Sequence, residues 1–262
     1  MPPPGPSWPC AIPPALPRIP QGTPPFLLSL QLTDGRFVLL PDKPEDCWVT
    51  APALLALHGH PLPPGPVQKA ISFLLQHPGE TADQLPEIFG HDTRLHGWPW
   101  IYGTHSWVDS TALVLLALRA HGLMAQPLFQ EAVQLLLDRQ LPTGGWNVGV
   151  KFVYETLSRP SYESTSIALA ALSGIIPASQ LARSTDYLQS SLSTCNTPLT
   201  LAWAAIACPG LFDPADTLRH FHGYARTPDP LPALPSEWLA LMLLALDSLA
   251  GTPPPWIQTP AA

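Results

Sequence analysis

The feature that most constrains this chain is a repeat. Val108-Asp-Ser-Thr-Ala-Leu-Val-Leu-Leu-Ala-Leu118 laid over Tyr162-Glu-Ser-Thr-Ser-Ile-Ala-Leu-Ala-Ala-Leu172 keeps the character of nearly every position: acid, Ser, Thr, small residue, then an apolar run with Ala at a fixed place. Cys47-Trp-Val-Thr-Ala-Pro-Ala-Leu-Leu-Ala-Leu57 is a third copy, and residues 196–207 and 236–250 are weaker fourth and fifth members. Self-similarity at intervals of a few tens of residues is the mark of an array of supersecondary units, each unable to bury its apolar surface alone. The runs are Leu/Ala-rich, about three turns long and lack period-2 alternation, so they read as helices and not strands.

Between the apolar runs lie residues 67–76, 129–139, 179–191 and 214–225, with apolar side chains at helical spacing and charges on the opposite face. The two kinds of segment predict αα-hairpins, with the apolar helices inside and the amphipathic ones outside. Serine or threonine opens most inner segments, which suits N-capping, and Gly59, Gly122 and Gly174 close several. Residues 1–25 are so rich in proline that neither helix nor sheet should propagate, and 251–262 are similar in kind. The expected division is a Pro-rich leader (1–25), a helical domain (26–250) and a Pro-rich tail laid on the surface (251–262).

Composition narrows the partners. Apolar residues make up 46% of the 262, enough for a sizeable core, while charged residues are only 12%. A net charge of −7 leaves no basic surface for nucleic acid. The four cysteines, Cys10, Cys47, Cys195 and Cys208, form no CxxC pair, so neither a disulfide framework nor a structural zinc is expected, and a reducing compartment is the simplest reading. With no run of about 18 apolar residues and no signal-like start, a cytoplasmic protein is expected. The low charge leaves room for peripheral contact with a membrane.

A second repeat joins the helices. Ala132-Val-Gln-Leu-Leu-Leu-Asp-Arg-Gln140-Leu-Pro-Thr-Gly144-Gly145-Trp146 has a counterpart in Phe26-Leu27, Gln31 and Asp34-Gly35-Arg36-Phe37, with Phe in place of Trp. Lys69-Ala70, Phe73-Leu74 and Gln76 form a shortened third copy, and Tyr187-Leu188 is a vestige. These stretches resemble the Gln-Trp signature of the squalene/hopene-type terpene cyclases, which share an α-α toroid with the protein prenyltransferase β subunits. The resemblance covers about residues 26–250. It implies an all-α toroid of about five to six helical hairpins, in which Gln binds free backbone groups at helix ends while the Trp ring covers the adjoining turn.

The resemblance also implies chemistry. The cyclases protonate an alkene or epoxide with the middle acid of Asp-x-Asp-Asp-Thr-Ala. Alignment through Thr111-Ala112 puts Trp107 at the first Asp, Asp109 at the proton donor and Ser110 at the last. Asp109 is therefore the candidate general acid, with helix capping as its plainer alternative. Glu163 holds the equivalent place in the next repeat, and Asp46 the first-Asp place of the earlier one. Should these acids ring one mouth, paired carboxyls would also allow glycoside chemistry.

Residues 91–108, HDTRLHGWPWIYGTHSWV, bring Trp98, Trp100, Tyr102 and Trp107 close to Asp109. Such rings could stabilise a carbocation or simply fill space. The spacing of His91, His96 and His105 matches no common metal site. Asp46-Cys47 lacks the spacer of the prenyltransferase zinc site, so zinc and protein prenylation are not implied. The expected ligand is an apolar isoprenoid handled without metal or cofactor, the alternative being a non-catalytic toroid that binds a lipid or a protein partner.

Overall fold

In a computed structural model of the chain, the residues described are 23–39, 48–83, 89–153, 155–192, 197–225 and 236–257. They are predominantly helical: α1 (Thr23–Ser29), α2 (Thr50–Leu57), α3 (Pro64–Gln76), α4 (Val108–Ala120), α5 (Pro127–Arg139), α6 (Tyr162–Leu172), α7 (Ala178–Ser191), α8 (Pro198–Ala207), α9 (Pro214–Ala225) and α10 (Ser236–Leu249). A minimal antiparallel hairpin, β1 (Phe152–Val153) with β2 (Thr156–Leu157), sits between α5 and α6. The chain is all-α, as the repeat predicts. Proline stands in the first turn of α3, α5 and α8, where the missing N–H would have no intrahelical partner. Helix α1 begins inside the expected leader, and residues 1–22 lie outside the described set.

The apolar helices pack in series, α2 on α4, α4 on α6, α6 on α8 and α8 on α10. The amphipathic helices back them, α3 on α2, α5 on α4, α7 on α6 and α9 on both α10 and α8. Among the described residues no comparable packing joins α2 to α10. Along α4 no residue from Ser110 to Leu118 is more than 8% exposed, and along α6 none from Ser164 to Leu172 exceeds 4%. A helix sealed on every face is surrounded by protein, so the middle of the array is filled with side chains. The end helices differ: α10 leaves Leu239 and Leu243 exposed one turn apart.

What joins one hairpin to the next is a hydroxyl clamp. The Thr111 Oγ1 accepts from the Trp98 backbone N–H (2.9 Å) and Ser110 Oγ donates to the Trp98 carbonyl (2.6 Å). Thr165 repeats the arrangement, accepting from Trp146 N (2.9 Å) and donating to Trp146 O (3.2 Å), and Thr50 Oγ1 accepts from Phe37 N (3.1 Å). The indoles complete it, with Trp98 Nε1 donating to Leu74 O (2.8 Å) and Trp146 Nε1 to Leu136 O (2.6 Å), carbonyls near the ends of α3 and α5. Most of these hydroxyls therefore do not cap their own helices. Ser161 does so, accepting from Ser164 N, whereas α4 and α8 have no side-chain cap bond.

Of the repeated glutamines, Gln31 binds backbone carbonyls as expected, whereas Gln140 binds a side-chain hydroxyl instead. Gln31 Nε2 donates to Gly35 O and Pro66 O, both at 2.8 Å, and Gln140 Nε2 donates to Ser184 Oγ (2.8 Å), so each reaches the next amphipathic helix. Gly35 and Gly144 have φ of +101° and +87°, and a Cβ on either would overlap the carbonyl of Lys69 or Arg183. These two glycines are required both by the turn and by the close approach. Gln76, by contrast, is exposed.

The described part of the tail, residues 251–257, is more than a surface appendage. Residues 251–257 fold back over the far ends of the inner helices, where Trp256 is 6% exposed and its ring centroid lies 6.0 Å from that of Trp203 in α8. Arg119, 1% exposed at the end of α4, donates to Trp256 O (2.9 Å), Ser173 O (2.8 Å), Ala170 O (3.1 Å) and Ala171 O (3.3 Å). Unpaired carbonyls at a helix C-terminus attract a cation, and here one guanidinium ties α4, α6 and the tail together. Among the described residues no helix is long and apolar enough to cross a membrane. Cys208 is an unpaired thiol whose pKa burial pushes up to about 11, and Cys10, Cys47 and Cys195 lie outside the described residues.

Thr165→Val keeps the shape of the side chain but strips Trp146 of its backbone partner in a buried place. It is expected to lower unfolding stability by about 1–3 kcal/mol, measurable as a lower urea midpoint at unchanged slope.

Candidate functional site

The inner helices α2, α4, α6 and α8 share one polarity, as their end contacts show. The His58 and His121 rings meet beyond α2 and α4, Arg119 binds the terminal carbonyls of α6, and Ser161, Tyr162, Glu163 and Thr200 line one cleft at the starts of α6 and α8. The acids placed second in α4 and α6, Asp109 and Glu163, consequently fall on the same rim. The charge of Glu163 acts directly on Asp109, and Ser164 hydrogen-bonds the Asp109 carboxyl.

Asp109 is the unusual group. It is partly buried, and its Oδ1 is enclosed without a hydrogen-bond partner. Desolvation, aided by the negative charge of Glu163 and opposed by the Ser164 hydrogen bond, pushes its pKa up to about 6. A carboxylate that capped α4 would accept backbone N–H bonds and be held low instead. Among the described residues, no backbone N–H bond of the kind a cap would make reaches the enclosed Asp109 Oδ1. Glu163 is exposed, and desolvation raises its pKa in the same direction, an effect that its exposure limits. The cleft beside it, of about 590 Å³, is bordered by Arg159, Tyr162 and Tyr187, whose rings stack at 5.7 Å.

The predicted aromatic lining separates into different places. Trp98 is 2% exposed and engaged in the hydroxyl clamp, which makes it a structural lock and corrects its assignment to a substrate surface. Its equivalence to Trp146 shows that it completes the third signature copy after the insert that follows α3. Trp100 meets Trp48 edge-on at 5.3 Å. Tyr102, 48% exposed, faces Phe73 and His77 of α3 and its C-cap, with the Arg36 guanidinium 5.5 Å from its ring. Trp107, partly buried, precedes α4, lies two residues from Asp109 and packs on His105 at 4.5 Å. Of the four, Trp107 alone is placed beside the acid by sequence, and Asp46 lies outside the described residues.

The histidines of the aromatic stretch do not converge. His91 is buried, and desolvation with the nearby Arg139 lowers its pKa to about 4; His96 Nδ1 meets Glu131 at 2.7 Å. Among the described residues no three His, Cys, Asp or Glu side chains form a group that could hold a metal ion. Ser164 is the site residue that the sequence reading did not single out. The signal for it lay in the repeat, where Asp-Ser-Thr and Glu-Ser-Thr align and Ser164 follows Glu163 as Ser110 follows Asp109. No protein-family model and no curated protein matches this chain.

A rise from 3.8 to about 6 disfavours the ionised Asp109 by on the order of 3 kcal/mol. Between those values the folded chain holds a proton that the unfolded chain has released, so the contribution of Asp109 to stability falls as pH rises through the window. Asp109→Asn cannot ionise. It should be more stable than the parent at pH 7.5 and lose most of that advantage by pH 4, in paired chemical-denaturation curves whose difference cancels the other titrating groups. A variant less stable than the parent at both pH values would return Asp109 to a structural role.

Proposed function

We propose that the array is a toroid related to the terpene cyclases, acting on an apolar isoprenoid laid against the rim of α4 and α6, with Asp109 as proton donor. The observation that carries this reading is the enclosed Asp109 carboxyl, whose Oδ1 has no hydrogen-bond partner and whose pKa is pushed up to about 6. At pH 7 roughly one molecule in ten then carries the proton, a population from which general acid catalysis can proceed. This moderate acidity suits an oxygen base better than a bare alkene, so an isoprenoid epoxide is the preferred substrate class. Asp109 gives its proton to the epoxide oxygen as the carbon–oxygen bond breaks. The resulting tertiary cation is met by a neighbouring double bond, and the Glu163 carboxylate takes up the proton that is finally lost. Trp107 offers a ring face to the cation at the same rim.

The sealed inner helices favour a second reading. With α4 and α6 closed on every face, an internal chamber of the size that a folded polyene requires has no room between them, and an array of this kind can serve as a non-catalytic binder of lipid or protein.

The two separate in one assay: purified protein and its Asp109→Asn variant, each incubated with squalene and 2,3-oxidosqualene and the products identified by mass spectrometry. Cyclised alcohol from the epoxide, lost in the variant, is the expected result. Retention of the epoxide by both proteins without turnover would establish the binding reading, and neither turnover nor retention would remove isoprenoids altogether.

A further inference from the structure

The far end of the array holds a seat that the chain fills with its own tail. Helix α10 closes on two hydrogen bonds, Gly251 N to Ser248 O (3.1 Å) and Thr252 N to Asp247 O (2.9 Å), and the residues beyond form a separate unit. Ile257 N donates to Pro254 O (2.9 Å), closing a turn for which Pro255 sets the backbone at the second position. Pro254 and Trp256 are buried while Pro255 is exposed. The seat therefore takes a compact object, with the Trp256 ring beside Trp203 of α8 and the Trp256 carbonyl accepting a hydrogen bond from Arg119 of α4. These partners belong to α4 and α8, whereas the tail springs from α10.

Helix α10 is itself incompletely covered. From Trp238 to Leu246 it carries no polar residue, the composition of an inner helix. Yet its buried side chains, Met242, Ala245 and Ser248, make a single stripe, and Leu239 and Leu243 are 42% and 44% exposed. The last member of a helical array ordinarily turns a polar face outward, and an apolar one marks an interface.

We propose that two copies of this chain associate across their α10 faces and exchange tails, the Pro254–Ile257 turn of each docking in the seat of the other. A two-fold axis running along the helices sets Leu239 and Leu243 of one copy against the same residues of the second. Packed helices stand about 8–10 Å apart and residues 251–253 drawn out span about 10 Å, so a released tail reaches one helix further than its own seat requires. Exchange leaves each seat filled by the same turn, so it forfeits none of the tail's contacts and adds the burial of the α10 leucines. The proposal rests neither on the rim nor on Asp109.

Sedimentation of the full chain over a range of concentrations should show reversible conversion of the 28.3-kDa monomer to a dimer. Leu243→Glu, at a position exposed in the monomer, should weaken that association by about ten-fold or more, because the dimer would bury the charge. In a mixture of 13C-labelled and unlabelled parent chains, isotope-filtered NOEs should join Trp256 of one chain to Trp203 of another. A chain that is monomeric at every concentration, a dimer that Leu243→Glu leaves unchanged, or a dimer whose Trp256–Trp203 NOEs stay within one chain would each overturn the proposal. The NOEs are read in the unmodified chain, so the result does not depend on how a variant folds.

Discussion

The structure depends on a single recurring interaction, the grip of a helix-opening threonine on the main chain of an aromatic residue in the preceding loop. A loop that crosses from an outer helix to the next inner one must bury backbone N–H and C=O groups, and each buried polar group needs a partner. Thr111 and Thr165 each supply both a donor and an acceptor from one hydroxyl, and the indole of the same aromatic residue reaches back to the outer helix just left behind. One loop residue is thereby fixed to two helices at once. Where Phe37 replaces Trp, the Thr50 bond to the backbone remains while the indole bond has no counterpart, so the main-chain grip is the more general part of the device.

That device explains why the chain can seal its centre. With loops anchored at the rim, the Leu/Ala runs of α4, α6 and α8 can turn every face toward protein, and small residues such as Ala117, Ala168 and Ala204, all fully buried, let neighbours approach closely. Polar chemistry is pushed to the two ends. At one end Arg119 directs its guanidinium to four carbonyls, a concentration of bonds that compensates for burying a charge. At the other lies Asp109, which the Ser164 hydroxyl supports.

The helical class and the division into inner and outer helices were legible because the periodicity of Leu and Ala records burial directly. That Gln31 and Gln140 tie one hairpin to the next was legible because the motif recurs in the chain, while the partner of Gln140, the Ser184 hydroxyl and not a backbone group, was not. Less was legible where chain proximity misleads. Trp98 stands in an aromatic-rich stretch near Asp109 and so looked like part of a cavity wall, while its partner Leu74 lies 24 residues away across an insert that hides the repeat. The hydroxyls of Thr111 and Thr165 looked like caps because a sequence shows the helix they open and not the loop they hold. The proline-rich tail concealed Trp256, whose burial depends on Trp203 and Arg119, both distant in the chain. The enclosure of Asp109 was not legible at all, because desolvation arises from how α4 and α6 meet and not from any neighbour in sequence.

The position of Asp109 makes that enclosure informative. A carboxylate in the first turn of a helix gains from the partial positive charge there, typically about 0.3–1 kcal/mol and at most about 2 in buried settings. The carboxyl is nevertheless raised to about 6, which means that desolvation and the charge of Glu163 together exceed both that gain and the Ser164 hydrogen bond. A purely structural acid at this position would relieve the cost by turning toward the free N–H groups of α4, as Ser161 does at α6. Of the enclosed side-chain atoms left without a hydrogen-bond partner among the described residues, Asp109 Oδ1 is the carboxylate oxygen, and a carboxyl held against desolvation at a helix start is where function is expected to reside.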